Sequence, residues 1–399
     1  MKNIKLALVS VSVLFLMTAK NLNAQLNIGG IKTKNPTFNS TIMEPTTGST
    51  QIGQPLASNS GNYTIITIAG SGSVNGGYKD APGKEAFFNA PLDIAVDGNG
   101  NLYVADFTNY CIRKITKDGV VTTLVGYNET EKSGQSGNPA RFYGPTGIWI
   151  SAEDAIYVAD KNSHTIRKIT TSGVASFVCG SVAGYLDGSL SKAQFHQPND
   201  MAIDSKGNLF ICDGYNNCIR KISENQVTTF AGGEFGYKDD VGQNAQFMNP
   251  FVIAIDANDN IYLAEFNRIR KITPAGVVTT FAGNIDMQER KDGTGTNAYF
   301  RAIQSITISP SGKLYVIDKS FPDAAIRMIT LDGQVTTIAG GDQWRHSDDS
   351  ESEAQLRLGD GPTDKFYPSY GAIGICVDKD ETIYFCDQLF NCVRKISKQ

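Results

Sequence analysis

Six carboxylates are the first side chains in this chain whose type and spacing suggest chemistry. Asp106, Asp160, Asp213, Glu265, Asp318 and Asp387 each close a short apolar run: LYVAD (102–106), IYVAD (156–160), LFICD (209–213), IYLAE (261–265), LYVID (314–318) and IYFCD (383–387). An arginine follows each: Arg113, Arg167, Arg220, Arg270, Arg327 and Arg394. Six carboxylates on one face would attract a cation. An acid that opens a loop also accepts hydrogen bonds from the backbone amides just after it, and a nearby arginine neutralises it. Recurrence in every repeat favours this structural role, because active sites are rarely six-fold.

The three histidines, His164, His196 and His346, stand one to a loop at unrelated positions of the repeat. No HExxH and no closely spaced His pair is present, and neither a GxSxG elbow nor a Walker loop occurs. No residue is therefore assigned as catalytic or metal-binding, and no cofactor is expected.

The elements that would position these side chains follow from one recurring unit. "FNAPLDIAVDGNGNLYVADFTNYCIRKITKDGVVTTLVG" (88–126) holds four runs rich in Val, Ile, Thr and Tyr, separated by DGNGN, DFTNY and KDG. Gly and Asn supply the positive φ of tight turns, and β-branched residues suit a pleated, half-buried surface. Each unit reads as an antiparallel meander of four strands, a to d. The b runs and the IRKI-type c runs both occur six times. Four strands per unit at this period mark a β-propeller; a solenoid, the alternative, has shorter repeats and distinct caps.

The last unit ends at "NCVRKISKQ" (391–399) with no d strand, whereas "YTIITIAG" (63–70) stands alone at the start and matches VTTLVG, VTTFAG and VTTIAG. Pairing the two closes the ring and removes the exposed edges of a broken sheet. The expected fold is all-β, a six-bladed β-propeller of four-stranded blades in which the N-terminal strand completes the last blade.

These motifs resemble the NHL repeat. The likeness covers almost all of 62–399 and includes the connecting segment "GYKDAPGKEAFFNAP" (77–91), echoed by "GYLDGSLSKAQFHQP" (184–198) and "GYKDDVGQNAQFMNP" (236–250). The resemblance implies the propeller fold but not one activity, since NHL propellers include enzymes, sensors and binding platforms. An amidating lyase of this repeat family uses a channel metal held by histidines. The histidines here share only a face, which is weak ground for zinc.

In such a disc the d–a and b–c loops share one face, the top, and the a strands line the channel. Their first residues ring its opening: Leu92–Asp93, Thr146–Gly147, Asn199–Asp200, Phe251–Val252, Gln304–Ser305 and Ile373–Gly374. Asp93, Asn199, Asp200 and Gln304 are the candidate ligand-binding groups there. The insertion 340–371 adds Trp344, Arg345, Phe366, Tyr367 and Tyr370, and Trp, Tyr and Arg are enriched at binding hot spots.

The N-terminus is set apart. Lys2 and Lys5 precede an apolar run from Leu6 to Met17, and a small residue, Ala24, follows: a secretory signal peptide over 1–24, with no Cys after the cut to carry a lipid. Its removal takes three lysines and no acids, shifting the formal charge from −4 to −7. A mildly acidic protein without clustered Lys and Arg is a poor ligand for nucleic acid. Residues 25–61, rich in Ser, Thr, Gly and Pro, read as a flexible spacer before the 62–399 propeller. No transmembrane segment is expected in the mature chain.

Export to a periplasm, cell surface or medium supplies an oxidising compartment. Cys212/Cys218 and Cys386/Cys392 lie six positions apart across equivalent b–c hairpins and are expected to form disulfides. Cys111, Cys179 and Cys376 have no obvious partner and read as small apolar filler. The favoured function is an exported, non-catalytic scaffold that binds a protein, peptide or glycan through its top face. The alternative is a metal-dependent lyase, lactonase or other hydrolase with its site at the channel mouth.

Overall fold

The computed structural model describes residues 63–126, 140–287, 289–320, 323–340, 361–362 and 371–398. It is an all-β, six-bladed propeller. Blade 1 is built from Pro91–Val96, Leu102–Asp106, Cys111–Ile115 and Val120–Gly126, as strands a to d in that order. The b strand is buried along its whole length, whereas the outer d strand alternates. Blades stack face to face, so an inner strand is covered on both sides and reads as a continuous apolar run.

Six hydrophobic clusters hold the ring, one at each junction between neighbouring blades. The junction of blade 6 with blade 1 is built like the rest: Ala69, Cys376, Cys386 and Val393 pack on Phe88, Leu102 and Val104. The N-terminal strand Tyr63–Ala69 pairs antiparallel with Cys392–Lys398, from Tyr63↔Lys398 to Ala69↔Val393. The expected closure is present. Gly70 ends this strand with φ +93°, and a Cβ there would lie 2.7 Å from the Cys392 Cα. Gly126 faces Cys111 in the same way, which is why each d run ends in glycine.

Four blades carry a fifth strand that the meander pattern did not suggest. Ala81–Pro82, in the connection leading into blade 1, pairs with Val120–Val121 on the outer edge of that blade. Gly188–Ser189, Gly293–Thr294 and Gly361–Pro362 do the same for blades 3, 5 and 6. A two-residue strand covers part of an otherwise open sheet edge.

The same connection wraps the repeated arginine. Arg113 Nη1 is 2.8 Å from Asp106 Oδ2 and Nη2 is 2.7 Å from Asp80 Oδ1, with the guanidinium between the Tyr78 and Phe88 rings. Arg220 repeats this with Asp213, Asp187, Tyr185 and Phe195, and Arg270 with Glu265, Asp239, Tyr237 and Phe247.

The six acids are fully buried and form no open cation ring. Their role is structural, but their amide donors differ from expectation in the blades where the bond is seen. The loop after strand b supplies one only to Asp387, from the Phe390 N–H. The others accept from the residue entering strand a: Asn89 on Asp106, Tyr143 on Asp160, His196 on Asp213, Met248 on Glu265 and Arg301 on Asp318. Each acid therefore ties strand b to the incoming connection. Burial lifts Asp106 to about 6, against Asn109, Arg113 and the Asn89 amide, so it is ionised at neutral pH.

The cysteine expectation is corrected by register. Cys218 lies opposite Asp213, while Cys212 lies opposite Ile219; likewise Cys392 faces Asp387 and Cys386 faces Val393. A one-residue offset puts the two thiols on opposite faces of the sheet. Cys111 faces Asp106 in the same way. None of the seven cysteines is in a disulfide and all are buried, and burial pushes the Cys179 thiol up to about 12, which suits packing rather than reactivity.

Candidate functional site

Every a strand that the structure resolves into a regular ladder breaks its register beside the channel mouth, except in blade 4. The shifts fall at Pro91/Asp93, Pro145/Ile148, Pro198/Met201, Ile303/Ser305 and Ile373/Ile375. A bulge re-aims side chains. Here it turns alternate blades onto their neighbours. Asp93 Oδ2 accepts the Ile148 N–H at 2.9 Å, Asp200 Oδ2 accepts the Ile253 N–H at 3.0 Å, and Ser305 Oγ accepts the Ile375 N–H at 3.1 Å.

The intervening blades offer Gly147, Val252 and Gly374 at this level. A Cβ on Gly147 would lie 2.5 Å from Asp200 Oδ1, and one on Gly374 would lie 2.6 Å from the Asp93 Cα. Two of the four channel candidates, Asp93 and Asp200, are thus brought to one throat, and their first task is to join blades. Burial raises both carboxyls, Asp200 to about 7 and Asp93 well above the carboxylate range, where the Asp200 charge raises it further. Asn199 takes a different direction: its Nδ2 donates to the Pro250 carbonyl at 3.1 Å. Gln304 stays half-buried at the start of the blade 5 a strand.

Above the throat, the residue following each strand-b acid forms a second ring: Phe107, Lys161, Gly214, Phe266, Lys319 and Gln388. Gly214 shows where this position points, because a Cβ there would collide with Asn199 Nδ2 and lie 2.6 Å from Asn249 Oδ1 of the next blade. Backbone bonds hold the ring over the a strands, with Lys161 N–H on the Gly144 carbonyl at 2.9 Å and Lys319 N–H on the Ala302 carbonyl at 2.8 Å. Lys161 and Lys319 stand in blades 2 and 5, three blades apart and so on opposite sides of the mouth. Burial alone draws the Lys161 ammonium below the usual lysine range, and burial, partly opposed by Asp387, draws Lys319 down to about 8.

The b–c loops place a residue in the left-handed region in five blades: Tyr110, His164, Asn217, Phe266 and Asn391. Asparagine is at home there, and its side chain staples neighbouring blades: Asn391 Oδ1 accepts the Ala90 N–H at 2.8 Å and Asn217 Oδ1 the Asn249 N–H at 3.1 Å. His164 substitutes for it, its Nδ1 accepting the Gln197 N–H at 3.1 Å. Tyr110 and Phe266 bear the conformational cost of about 1–2 kcal/mol with their rings exposed.

The structure brings His164 and His196 together, although their sequence positions gave no sign of it. Their ring centroids are 5.8 Å apart, and His196 lies edge-on to Tyr215 at 5.0 Å. Tyr215 is 55% exposed, so the three rings make a step from the mouth to the open top face across blades 2 and 3. Among the described residues, no three His, Cys, Asp or Glu side chains form a group that could hold a metal ion. Trp344, Arg345, Phe366, Tyr367 and Tyr370 lie outside the described residues. No helix among the described residues is long and apolar enough to cross a membrane.

The comparisons with known proteins agree with this architecture. A model of the NHL repeat matches residues 88–115 and 195–222, in each case from the buried phenylalanine before strand a through strand c. Human NHL repeat-containing protein 2 is 24% identical over 333 residues, covering 71% of this chain and 46% of its own length. The chain thus spans about half of that relative. Drosophila melanogaster teneurin-m is 27% identical over 287 residues, covering 63% of this chain and 10% of the relative. Among solved structures, a Bacteroides thetaiotaomicron protein of unknown function superposes with a TM-score of 0.62 at 20% identity, covering 84% of this chain and 76% of its own. An auxiliary nutrient binding protein from the same organism gives 0.61 at 17% identity, with the same coverage. At these identities the likeness is one of fold.

Proposed function

From the premise that this chain is an NHL-repeat β-propeller, we propose that it is an exported binding scaffold, non-catalytic, which holds a protein, peptide or glycan partner on its top face. The observation that carries the reading is the ring step His164–His196–Tyr215 beside the channel mouth. Tyr110 and Phe266 extend it. Both keep large rings exposed in a backbone conformation that asparagine would occupy at lower cost, and strain of this kind persists where a site uses it. Aromatic rings that are rigid and half-packed are efficient contact surfaces, since few rotamers are lost on binding.

Trp344, Arg345, Phe366, Tyr367 and Tyr370 belong to the same face in this proposal, because the 340–371 insertion joins strand d of blade 5 to strand a of blade 6. Asp93, Asn199, Asp200 and Gln304 form its polar floor. The solved auxiliary nutrient binding protein is compatible with ligand capture on such a fold. The signal segment 1–24 and spacer 25–61 would place the propeller outside the cytoplasm.

The test is affinity capture from an envelope extract of the source cell. Immobilised wild-type protein is compared with Tyr215→Ala/Phe266→Ala and with the bottom-loop variant Lys117→Ala/Asp118→Ala. A partner retained by the wild type and the bottom variant, and lost by the top variant, supports the reading. Equal retention by all three, with folding intact, overturns it.

A further inference from the structure

One cation at the mouth lacks the counter-charge that the buried repeat arginines below have. Seven arginines are fully buried, and five of those in the repeat position have an ion pair to the strand-b acid: Arg113, Arg167, Arg220, Arg270 and Arg327. Those acids are therefore already committed. Lys161 sits immediately after one of them, and Asp160 is held at 2.8 Å by Arg167. Half-buried at the mouth, Lys161 has no carboxylate partner among the described residues. A cation withdrawn from water is normally paired.

The throat beneath does not supply the missing charge. Asp93 and Asp200 spend one oxygen each on the Ile148 and Ile253 amides, and neither acts on the Lys161 ammonium, whose only influence is burial. On the blade 3 side His196 stands between His164 and Tyr215 in the ring step. The Lys161 carbonyl accepts the His164 N–H at 3.3 Å, so lysine and ring step belong to one short loop.

We infer that the mouth over blades 2 and 3 is a carboxylate-recognition site, in which Lys161 receives the carboxylate of a small ligand whose body rests on Tyr215 and His196. The inference rests on the top-face reading and adds the chemistry of the ligand. A carboxylate gains a charge-assisted bond to Lys161, worth roughly twice a neutral one. Two sources carry this chemistry, a uronate sugar and the C-terminal carboxylate of a short peptide.

Calorimetric titration of the intact protein at pH 7 separates them. One arm uses trigalacturonate against neutral trigalactose; the other uses Gly-Gly-Tyr against its C-terminal amide. Binding of at least one carboxylate, at least tenfold tighter than its neutral match and at least tenfold weaker in Lys161→Met, is the expected result. The exposed rim variant Lys192→Met should bind as the wild type does. Which arm binds names the source. Binding of neutral and acidic ligands alike, still weakened by Tyr215→Ala, would overturn the carboxylate assignment while leaving the top-face reading standing. Binding that ignores both Lys161→Met and Tyr215→Ala overturns both. No binding in either arm overturns the carboxylate site alone.

Discussion

Asp80 Oδ1 stands 2.7 Å from Arg113 Nη2, while the Oδ2 of the same carboxylate accepts the Thr123 N–H at 2.9 Å. Asp80 lies in the connection before blade 1, Arg113 in strand c and Thr123 in strand d, so one side chain fastens the connection across two strands. Asp187 and Asp239 do the same with Arg220/Thr229 and Arg270/Thr280.

The two acids around Arg113 should differ in weight. Asp106→Ala leaves a fully buried guanidinium without its inner partner and is expected to cost about 3–5 kcal/mol. Asp80 is 43% exposed, so Asp80→Ala should cost about 1 kcal/mol or less. Urea denaturation of the two variants checks this; equal costs would mean that the outer clamp, not the buried pair, carries the blade.

Asp93 and Asp200 should make the fold less stable as pH rises. Their folded pKa values lie above the ordinary carboxylate value, so the folded protein binds more protons than the unfolded chain from about pH 4 upward. Their contribution is full below about pH 4 and is lost as pH climbs through about 7 and beyond. Asp200→Asn keeps an acceptor for the Ile253 N–H and carries no charge. Its melting temperature relative to wild type should rise between pH 5 and 8; a constant difference over that range would refute the coupling.

His164 carries the opposite sign. Burial, with the His196 charge adding to it, lowers its pKa, and Nδ1 must stay unprotonated to accept the Gln197 N–H. Its contribution is present above about pH 6.5 and is lost as pH falls from there through the lower folded value. His164→Asn restores the residue found at 217 and 391 and should remove this acid-side loss. Thermal melts at pH 7.5 and 5.0 compare the two proteins.

Ring closure predicts an asymmetric truncation series. Removing residues 1–61 should leave the melting temperature of the propeller within about a degree of the longer chain. Removing 1–70 strips the strand paired with Cys392–Lys398, and also Ala69 from the junction of blades 6 and 1. Aggregation or a cooperative loss of stability is expected, since an open edge invites pairing with another chain. Similar melts for both truncations would refute the closure.

The thiols give a direct count. Register sets Cys212 and Cys218, and Cys386 and Cys392, on opposite sheet faces. Protein unfolded in guanidinium without reductant should therefore titrate seven free thiols. Three would restore the two disulfides.

The repeat, the six blades, the strand order and the orphan closing strand were all legible in the chain, because runs rich in β-branched residues and glycine or asparagine between them are local signals. The clamp acids Asp80, Asp187 and Asp239 stood in the quoted GYKD and GYLD segments, but their role was hidden, since each acts on an arginine 31–33 positions away. The cysteine pairs show the limit most clearly: a spacing of six was visible, but the three-residue 3-10 turns Gly214–Asn216 and Phe107–Asn109 set the register, and one residue of offset reverses a face. The meeting of His164 with His196, the joining of neighbouring a strands through Asp93 and Asp200, and the unpaired Lys161 depend on how neighbouring blades abut. Packing between blades joins residues that local pattern keeps some 30–55 positions apart, and it alone decided what gathers at the mouth.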